Sequence, residues 1–362
     1  MAERGGAGRG PATLEMMGLS PSGKTATRRR ASRPALDRHR LAVLAVHYGL
    51  FIALGLWLVA MSLASPNFLT WLNLLNVFRQ AAPIAVIGVG MTLVIATAGI
   101  DLSVGSLVAL TSCLLARWLA ADWPVMLVIP LVLALGTLAG LVNGYFVTLG
   151  LPAFVVTLAA LVYLRGLAFV YTNGYAVPVS DPFFLAIGRG SLLGVHIPIW
   201  IAAATLLGGW FALTQTRLGL YTLAIGGREE AARLMGLKIS RIKMVIYAAT
   251  GFLAAVASII ITARLSNGSP NAGIMLELDV ISATVLGGTS LFGGVANIGG
   301  TLAGVLFINF VRNGLNLLSV NPFWVQVVTG LILLIAVLLN TVVNSRIEEW
   351  ARLGGSEREE AR

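Results

Sequence analysis

Residues 213–243 read LTQTRLGLYTLAIGGREEAARLMGLKISRIK, the only long charged interruption between residues 41 and 343. Six of these residues are Lys or Arg and two are Glu, and loops of this charge stay on the cytoplasmic side of a membrane. Residues 228–235 are good helix formers followed by Gly236, which predicts a short helix outside the bilayer. Two interpretations are open at this point: a solvated loop, or a docking helix that transmits force from a separate motor protein.

The composition of the whole chain indicates a polytopic membrane protein. Of its 362 residues, 57% are hydrophobic and only 11% are charged, and the mean hydropathy is +0.87. Apolar runs of about 20 residues recur, which predicts α-helical spans rather than the alternating strands of an outer-membrane barrel. The 41 glycines favour close helix packing. The single cysteine, Cys113, excludes a disulfide within one chain.

The sequence predicts an all-α fold of about ten transmembrane helices. The expected spans are 41–63, 74–98, a third ending near 120, a fourth ending near 149, 152–171, a sixth ending near 213, 244–264, 277–290, 297–318 and 322–343. The eighth is short and ends in glycine, so whether it crosses fully is left open. Ten spans place both termini on the cytoplasmic side.

The predicted domains are a disordered basic cytoplasmic tail (1–40), a transmembrane domain (41–343) with a cytoplasmic coupling loop (214–243), and a cytoplasmic C-terminal tail (344–362). The two tails and the loop hold 19 of the 25 Lys and Arg residues. This asymmetry orients a membrane protein, so the net charge of +10 does not indicate a nucleic-acid partner. Residues 18–25 match the phosphate-loop pattern, but neither a buried strand nor a helix flanks them, so we predict no ATP site in this chain.

No catalytic or metal-binding constellation is apparent, and we predict that the chain is not an enzyme and binds no cofactor or metal. Only three acidic residues lie within or next to spans, namely Asp101, Glu277 and Asp279. Carboxylates inside a membrane are functional by default because burying them is costly. For Asp101 a helix-capping role is an equal alternative, since Ser103 and Ser106 follow it.

Four segments, taken together and in this order, resemble the permease subunits of ribose-type ABC sugar importers. They are GIDLSVG (99–105), PAFVVTL (152–158), GGREEAARLMG (226–236) and GGTSLFGG (287–294). Within the third, Glu230-Ala231-Ala232 and Gly236 match the EAA-x-x-x-G signature by which importer permeases dock on their ATPase. The resemblance spans about residues 41–343.

The resemblance implies an inner-membrane, multi-pass permease that forms the path for a sugar or a sugar-like solute. It implies three kinds of protein partner: cytoplasmic ABC ATPase subunits that use the ATP, an extracytoplasmic solute-binding protein, and a second permease copy or paralogue. The implied ATPase-coupling residues are Arg228, Glu229, Glu230, Ala231, Ala232 and Gly236. The alternatives are a permease for branched-chain amino acids or nucleosides, or a self-sufficient secondary transporter, which should carry paired carboxylates or histidines well inside its spans.

Repeated motifs predict that the spans form two inverted halves. L-S-x-G-S recurs at 102–106 and 265–269, GTLAG at 136–140 and 300–304, and P-x-(F/W)-V at 152–155 and 322–325. The offset corresponds to five spans, an odd number, so the halves run in opposite directions. Interrupted helices at the interface of such halves offer polar groups to a solute. The candidate path residues are Asp101, Ser103, Ser106, Ser266, Asn267 and Ser269; the alternative is that both motifs are helix-capping turns.

Overall fold

The computed structural model describes residues 33–321, 323–332, 334–338 and 341, with only the backbone described for 33–48. The chain divides into a unit Met1–Val43 and a unit Leu44–Arg362, and the sites below all lie in the second. The predicted disordered tail 1–40 lies outside the described residues as far as residue 32. Residues 33–40 are helical instead, because Pro34 in the first turn of a helix costs no hydrogen bond. The predicted C-terminal tail 344–362 lies outside the described residues.

The described chain is mostly helical, as predicted. The helices are α1 Arg33–Ala64, α2 Trp71–Ala96, α3 Val104–Ala120, α4 Val125–Thr148, α5 Ala153–Thr172, α6 Pro182–Arg189, α7 Ile197–Gln215, α8 Arg217–Gly227, α9 Glu229–Leu234, α10 Ile239–Leu265, α11 Leu276–Leu286 and α12 Ile298–Leu317. Residues 323–332 and 334–338 are also helical. Two short antiparallel pairs join β1 Val177–Pro178 to β4 Asn267–Gly268 and β2 Ser191–Leu192 to β3 Val195–His196.

Within the part of the chain that the structure describes, six helices are long and apolar enough to cross a membrane: α2, α4, α5, α7, α10 and α12. Shorter apolar helices are Gly49–Ala64 and α3. Helix α11 has 11 residues, which extend about 16 Å, roughly half of a hydrocarbon core of about 30 Å. The eighth predicted span is therefore present as a helix of about half that thickness.

Helices α2 and α10 form the centre of the molecule. The apolar window of α2 is 83% buried and that of α10 is 61% buried, against 22% for α5 and for α7. Helix α10 packs against α4 in an antiparallel arrangement, because Gly136 faces Gly251 and Ala255 while Gly140 faces the backbone of Tyr247. Small residues allow this close approach of two helices.

The stretch 214–243 is more ordered than the coupling loop that the sequence predicts. It contains α8, α9 and the first turns of α10, which begins at Ile239 rather than near 244. One side of α8 is buried, namely the side that carries Gly219, Thr222 and Ile225. Helix α9 therefore lies between two other helices, α8 and α10, within this stretch.

Candidate functional site: a coupling helix and a polar break in the membrane core

Helix α9 is short, and its sequence explains both of its ends. Arg228 occupies the N-cap position in an extended conformation, and Glu229 and Glu230 fill the first turn, where negative charge complements the helix dipole. Gly236 terminates the segment with a φ of +80°, a conformation that glycine adopts without a steric penalty. The predicted short helix is therefore present in the structure.

Glu229 fixes α9 to the start of α10. Its carboxylate accepts a hydrogen bond from Lys243 Nζ at 2.7 Å and one from Arg233 Nη2 at 3.2 Å. The Lys243 bond is the largest cause of a lowered pKa of the Glu229 carboxyl, and its partial burial opposes that effect. The ion pair between Glu229 and Lys243 joins residues that are 14 positions apart in the sequence. It therefore connects α9 directly to α10.

Ala232 packs α9 against its support. It is fully buried and forms a cluster with Ile225 of α8 and Ile239 of α10. A larger side chain would force α9 away from this surface. The opposite side of α9 is open: Glu230 is exposed, and Leu234 and Met235 are 90% and 69% exposed. An exposed acid beside two exposed apolar side chains suits protein docking better than contact with water.

The glycine-rich segments 226–236 and 287–294 meet at one junction. A side chain at Gly226 would collide with the backbone of Ala96 and Gly294. Gly294 N donates to the Ala96 carbonyl at 3.0 Å. The end of α8 therefore lies in direct backbone contact with the end of α2.

The segments 99–105 and 152–158 meet at a second, polar junction. Asp101 is 1% exposed, and its Oδ1 accepts from Ser103 N at 2.9 Å and from Ser103 Oγ at 2.6 Å. Asn143 Nδ2 of α4 donates to Ser103 Oγ at 2.9 Å, and Thr157 Oγ1 of α5 donates to the Ile100 carbonyl at 3.0 Å. The break between α2 and α3 is therefore a hydrogen-bonded polar centre inside the helix bundle.

The second set of candidate path residues lies elsewhere along α3. Ser266 is the left-handed C-cap residue of α10, Asn267 lies in β4, and Ser269 Oγ accepts from Asn271 N at 3.2 Å. Gly268 touches the backbone of Ser112, nine residues beyond Ser103, or about 14 Å along the helix. The structure therefore does not bring the six predicted residues into one cluster but spaces them along α3.

The segment between α10 and α11 is held by a cation that sequence reasoning did not select. Arg165 Nη1 of α5 donates to the carbonyls of Pro270 at 2.8 Å and Ala272 at 2.7 Å. Glu277 lies against Gly105, and its buried Oε2 has no hydrogen-bond partner among the described residues; the same holds for Ser106 Oγ. A charged residue in an apolar run is the signal that singled out Glu277, and the same signal could have found Arg165.

The third intramembrane acid, Asp279, is neutralised by an arginine. Arg312 of α12 donates to Asp279 Oδ2 at 3.0 Å and to Oδ1 at 2.7 Å, and its Nη2 also contacts Thr329 Oγ1 at 3.3 Å. This bidentate ion pair has the geometry of the strongest charge-assisted hydrogen bonds. It ties the half-length α11 to its neighbours, and Arg312 is not a free surface charge.

Positive charge collects at the opposite end of the bundle from α9. Arg189, at the end of α6, donates through Nε to the Arg264 carbonyl at 3.3 Å. His196 precedes α7, and its pKa is lowered by burial and then by nearby Arg79. Arg189 is exposed and Arg79, His196 and Arg264 are partly buried, so this end of the molecule presents a basic surface.

A family model described as "Branched-chain amino acid transport system / permease component" matches residues 73–337. The chain belongs to this permease family. A permease component is a transport subunit and not an enzyme, and this permease is a multi-pass membrane protein. Both statements agree with the sequence prediction.

Individual curated relatives are more specific than the description of the family. The ribose import permease proteins of Haemophilus influenzae and Escherichia coli K12 are 42% and 45% identical to this permease, over 82% and 80% of its length and 93% and 92% of theirs. An L-arabinose ABC transporter permease of Azospirillum brasilense is 38% identical over 86% of this permease and 92% of that protein. No solved structure shows significant similarity.

Proposed function

We propose that this permease forms the membrane path of an ATP-driven importer for a sugar, with a pentose as the first candidate. The observation that carries the proposal is the identity of 42–45% to ribose import permeases over more than nine-tenths of their length. The named arabinose relative points to the same class of solute. Branched-chain amino acids appear only in the description of the broad family model.

The experiment is a substrate panel. Cells that lack their own pentose importers would express this permease with an ATPase and a binding protein from the same operon, and would be supplied with labelled ribose, arabinose, leucine or uridine. We expect uptake of at least one of the two pentoses and none of leucine. Uptake of leucine or uridine without either pentose would contradict the proposal.

A self-sufficient secondary transporter is the second class considered. Each of the three acids in the membrane has its own contact. Asp101 accepts a hydrogen bond from Ser103, Asp279 pairs with Arg312, and Glu277 lies against Gly105. No hydrogen bond joins any two of these carboxylates among the described residues. Together with the similarity to an ABC permease, this favours an external energy source, namely ATP used by a partner subunit.

We propose ten membrane passes in an inner membrane, with both termini cytoplasmic. Six long helices, two shorter apolar helices, the half-length α11 and the helical residues 323–338, described with a gap at 333, supply them. Asp122, Ser319 and Thr214 would each be replaced by a single cysteine and labelled with a maleimide. A cysteine at position 122 or 319 should react only with reagent supplied from outside, and a cysteine at position 214 only with reagent supplied from the cytoplasmic side. The reverse pattern would invert the topology.

We also propose that α2–α5 and the helices from α10 to residue 338 form two inverted halves. In each half a long, buried helix is followed by a break, a shorter helix and two apolar helices. The two breaks contain five of the six candidate path residues, and the sixth, Ser106, lies in the first turn of α3. Their hydroxyl, amide and carboxylate groups suit an uncharged solute rich in hydroxyls, and their spacing along α3 supports a series of contacts rather than one pocket.

The proposed partners occupy opposite ends of the bundle. An ATPase subunit would cover the exposed side of α9, and a solute-binding protein would approach the basic surface at Arg189, His196 and Arg264. A second permease copy or paralogue, embedded with it in the lipid, would complete the path. The family of this permease implies an ATPase and a binding protein in general terms.

A further inference from the structure

The hydroxyl of Tyr247 lies beside the break between α2 and α3 without a hydrogen-bond partner. Tyr247 belongs to α10 and is 1% exposed, and its Oη is buried and unpartnered among the described residues. The hydroxyl lies against Gly99, because a Cβ atom added there would be 2.8 Å from Oη. A buried hydroxyl without a partner is costly. This arrangement of the helices therefore carries a polar group that another arrangement of the break can satisfy.

The backbone of Tyr247 is fixed against α4. A side chain at Gly140 would collide with the Tyr247 carbonyl oxygen, and a side chain at Gly144 would touch Tyr247 Cβ. Small residues of this kind bring two helix backbones into direct contact. The ring of Tyr247 therefore extends from the contact between α4 and α10 to the break. A shift of the break relative to α10 changes what the hydroxyl meets.

The break itself contains a strained residue. Ala98, which precedes Gly99, has a φ of +59°, a left-handed conformation that costs free energy in a residue with a side chain. Residues held in such conformations cluster at switch regions of proteins. A strained backbone and an unpartnered hydroxyl thus lie side by side, and both costs favour a second arrangement of the same break.

Asp101 offers an acceptor two residues beyond Gly99. Both hydrogen bonds that its carboxylate accepts within the described part of the chain go to Oδ1, from Ser103 N and Ser103 Oγ. The second oxygen, Oδ2, accepts none there. The charge of Asp101 acts on the Tyr247 hydroxyl, so the two side chains are neighbours that are not bonded in this arrangement. A hydroxyl bonds more strongly to a carboxylate than to a neutral acceptor.

The same face of α10 leads to the coupling helix. Lys243 precedes Tyr247 by four residues, a spacing that places both on one side of a helix. Lys243 Nζ donates to Glu229 of α9 at 2.7 Å. The contact with α9 and the unpartnered hydroxyl are therefore one helical turn apart on α10.

We propose that Tyr247 is a positioning residue of the transport cycle, and that in the second arrangement of the break its hydroxyl donates to Asp101 Oδ2. The arrangement described above leaves the hydroxyl unpaired and the second pairs it, so this contact shifts the balance towards the second. Lys243 and Glu229 connect the same part of α10 to α9. The inference rests on the proposed function, because it gives Tyr247 a part in ATP-driven transport.

The first test removes only the hydroxyl. Tyr247→Phe deletes a group that has no partner in the present arrangement, so the Tm of the full-length permease in nanodiscs should rise by about 2 °C. The same variant loses the bond of the second arrangement. In proteoliposomes with the ATPase and the binding protein, ATP-driven uptake of labelled ribose or arabinose should therefore slow by about tenfold.

A double variant separates this contact from a merely structural role. Asp101→Asn keeps an amide oxygen for Ser103 but puts an amide nitrogen in place of Oδ2, and should also slow uptake by about tenfold. If the two side chains act through one bond, Tyr247→Phe/Asp101→Asn should be no slower than either single variant. Two independent roles would multiply to a loss of about a hundredfold.

Tyr163 supplies the matched control. Asp101 acts electrostatically on this tyrosine too, but its side chain is 45% exposed, and Tyr163→Phe should change uptake by less than about twofold. A Tm of Tyr247→Phe at or below that of the parent protein, unchanged uptake in that variant, or a multiplied loss in the double variant would overturn the proposal. Absence of ATP-driven uptake in the parent protein would refute the proposed function instead, and the Tm comparison would still decide whether the hydroxyl lacks a partner.

Discussion

Each ionisable group in the membrane core has a distinct environment, although the sequence shows only isolated charges in apolar runs. Asp101 closes a turn with Ser103, Asp279 pairs with Arg312, and Arg165 holds backbone carbonyls. A charge in the membrane is tolerated when such contacts replace water. These contacts therefore allow charged residues to shape the breaks in the helices.

The Asp279 and Arg312 pair gives a prediction about stability. Asp279→Asn leaves a partly buried guanidinium without its counter-charge, which should cost up to about 3 kcal/mol because Arg312 is still partly solvated. The apparent Tm of the permease in detergent should fall clearly. The double variant Asp279→Leu/Arg312→Leu removes both charges and should recover most of the loss. A Tm in Asp279→Asn equal to that of the parent protein would show that the pair does not stabilise α11.

Glu229 gives a prediction with a pH dependence. Its pKa in the folded state lies below the ordinary 4.5, so its ion pairs stabilise α9 at neutral pH and are lost as the pH falls through that lowered pKa. Glu229→Gln should speed amide exchange in α9 at pH 7, for a loss of at most about 1 kcal/mol because the carboxylate is partly exposed. The parent protein and the variant should converge once the pH has fallen below that lowered pKa.

The neighbouring residue supplies the control for that measurement. Glu230→Gln changes an exposed acid on the other side of α9 and should leave the exchange rates at pH 7 unchanged. Equal acceleration in both variants would mean that charge in the first turn of the helix, and not the contact with Lys243, fixes α9.

At the scale of elements, α9 is a small helix whose position is set by its neighbours. Six residues cannot form a stable helix alone. Ala232 packs between Ile225 and Ile239, and Gly226 contacts Ala96 and Gly294. These contacts connect α9 to α8 and α10, and through α8 to the end of α2.

This arrangement predicts that α9 is needed for coupling but not for insertion. Glu230→Arg reverses an exposed charge on the docking side and Gly236→Arg strains a residue at positive φ. Either change should reduce co-purification of the ATPase by about tenfold, while the amount of permease in the membrane fraction stays the same. The exposed residue Arg241 lies outside α9, and Arg241→Gln is the matched control. Unchanged ATPase association in both variants would refute a coupling role for α9.

At the scale of the whole molecule, the mainly helical fold, the long apolar helices and the short helix α9 were predictable because long apolar runs and a single basic interruption are local signals. The short eighth span could be recognised for the same reason. Contacts between distant residues could not be predicted: Asp279 with Arg312, Asn143 with Ser103, and Arg165 with the segment before α11 depend on how helices pack. The six candidate path residues illustrate this limit, since a shared motif did not reveal that Gly268 lies level with Ser112.

The basic surface at the outer end predicts how a binding protein docks. Arg189 is exposed, and rim charges mainly set the encounter rate and its salt dependence. Arg189→Glu should slow association of the sugar-loaded binding protein at low salt and flatten the dependence of the rate on salt. Arg117, an exposed cation at the end of α3, provides a matched charge reversal. An association rate for Arg189→Glu equal to that of the parent protein at every salt concentration would exclude this surface.

Reconstitution distinguishes an ATP-driven sugar importer from an ion-driven transporter. The permease, its ATPase and its binding protein would be placed in proteoliposomes, and labelled ribose or arabinose would be followed with and without ATP on the ATPase side. For an ATP-driven sugar importer we expect accumulation against a gradient that needs ATP, the binding protein and an intact α9, and that is lost in Glu230→Arg. Accumulation by the permease alone, driven by an ion gradient without ATP, would contradict it.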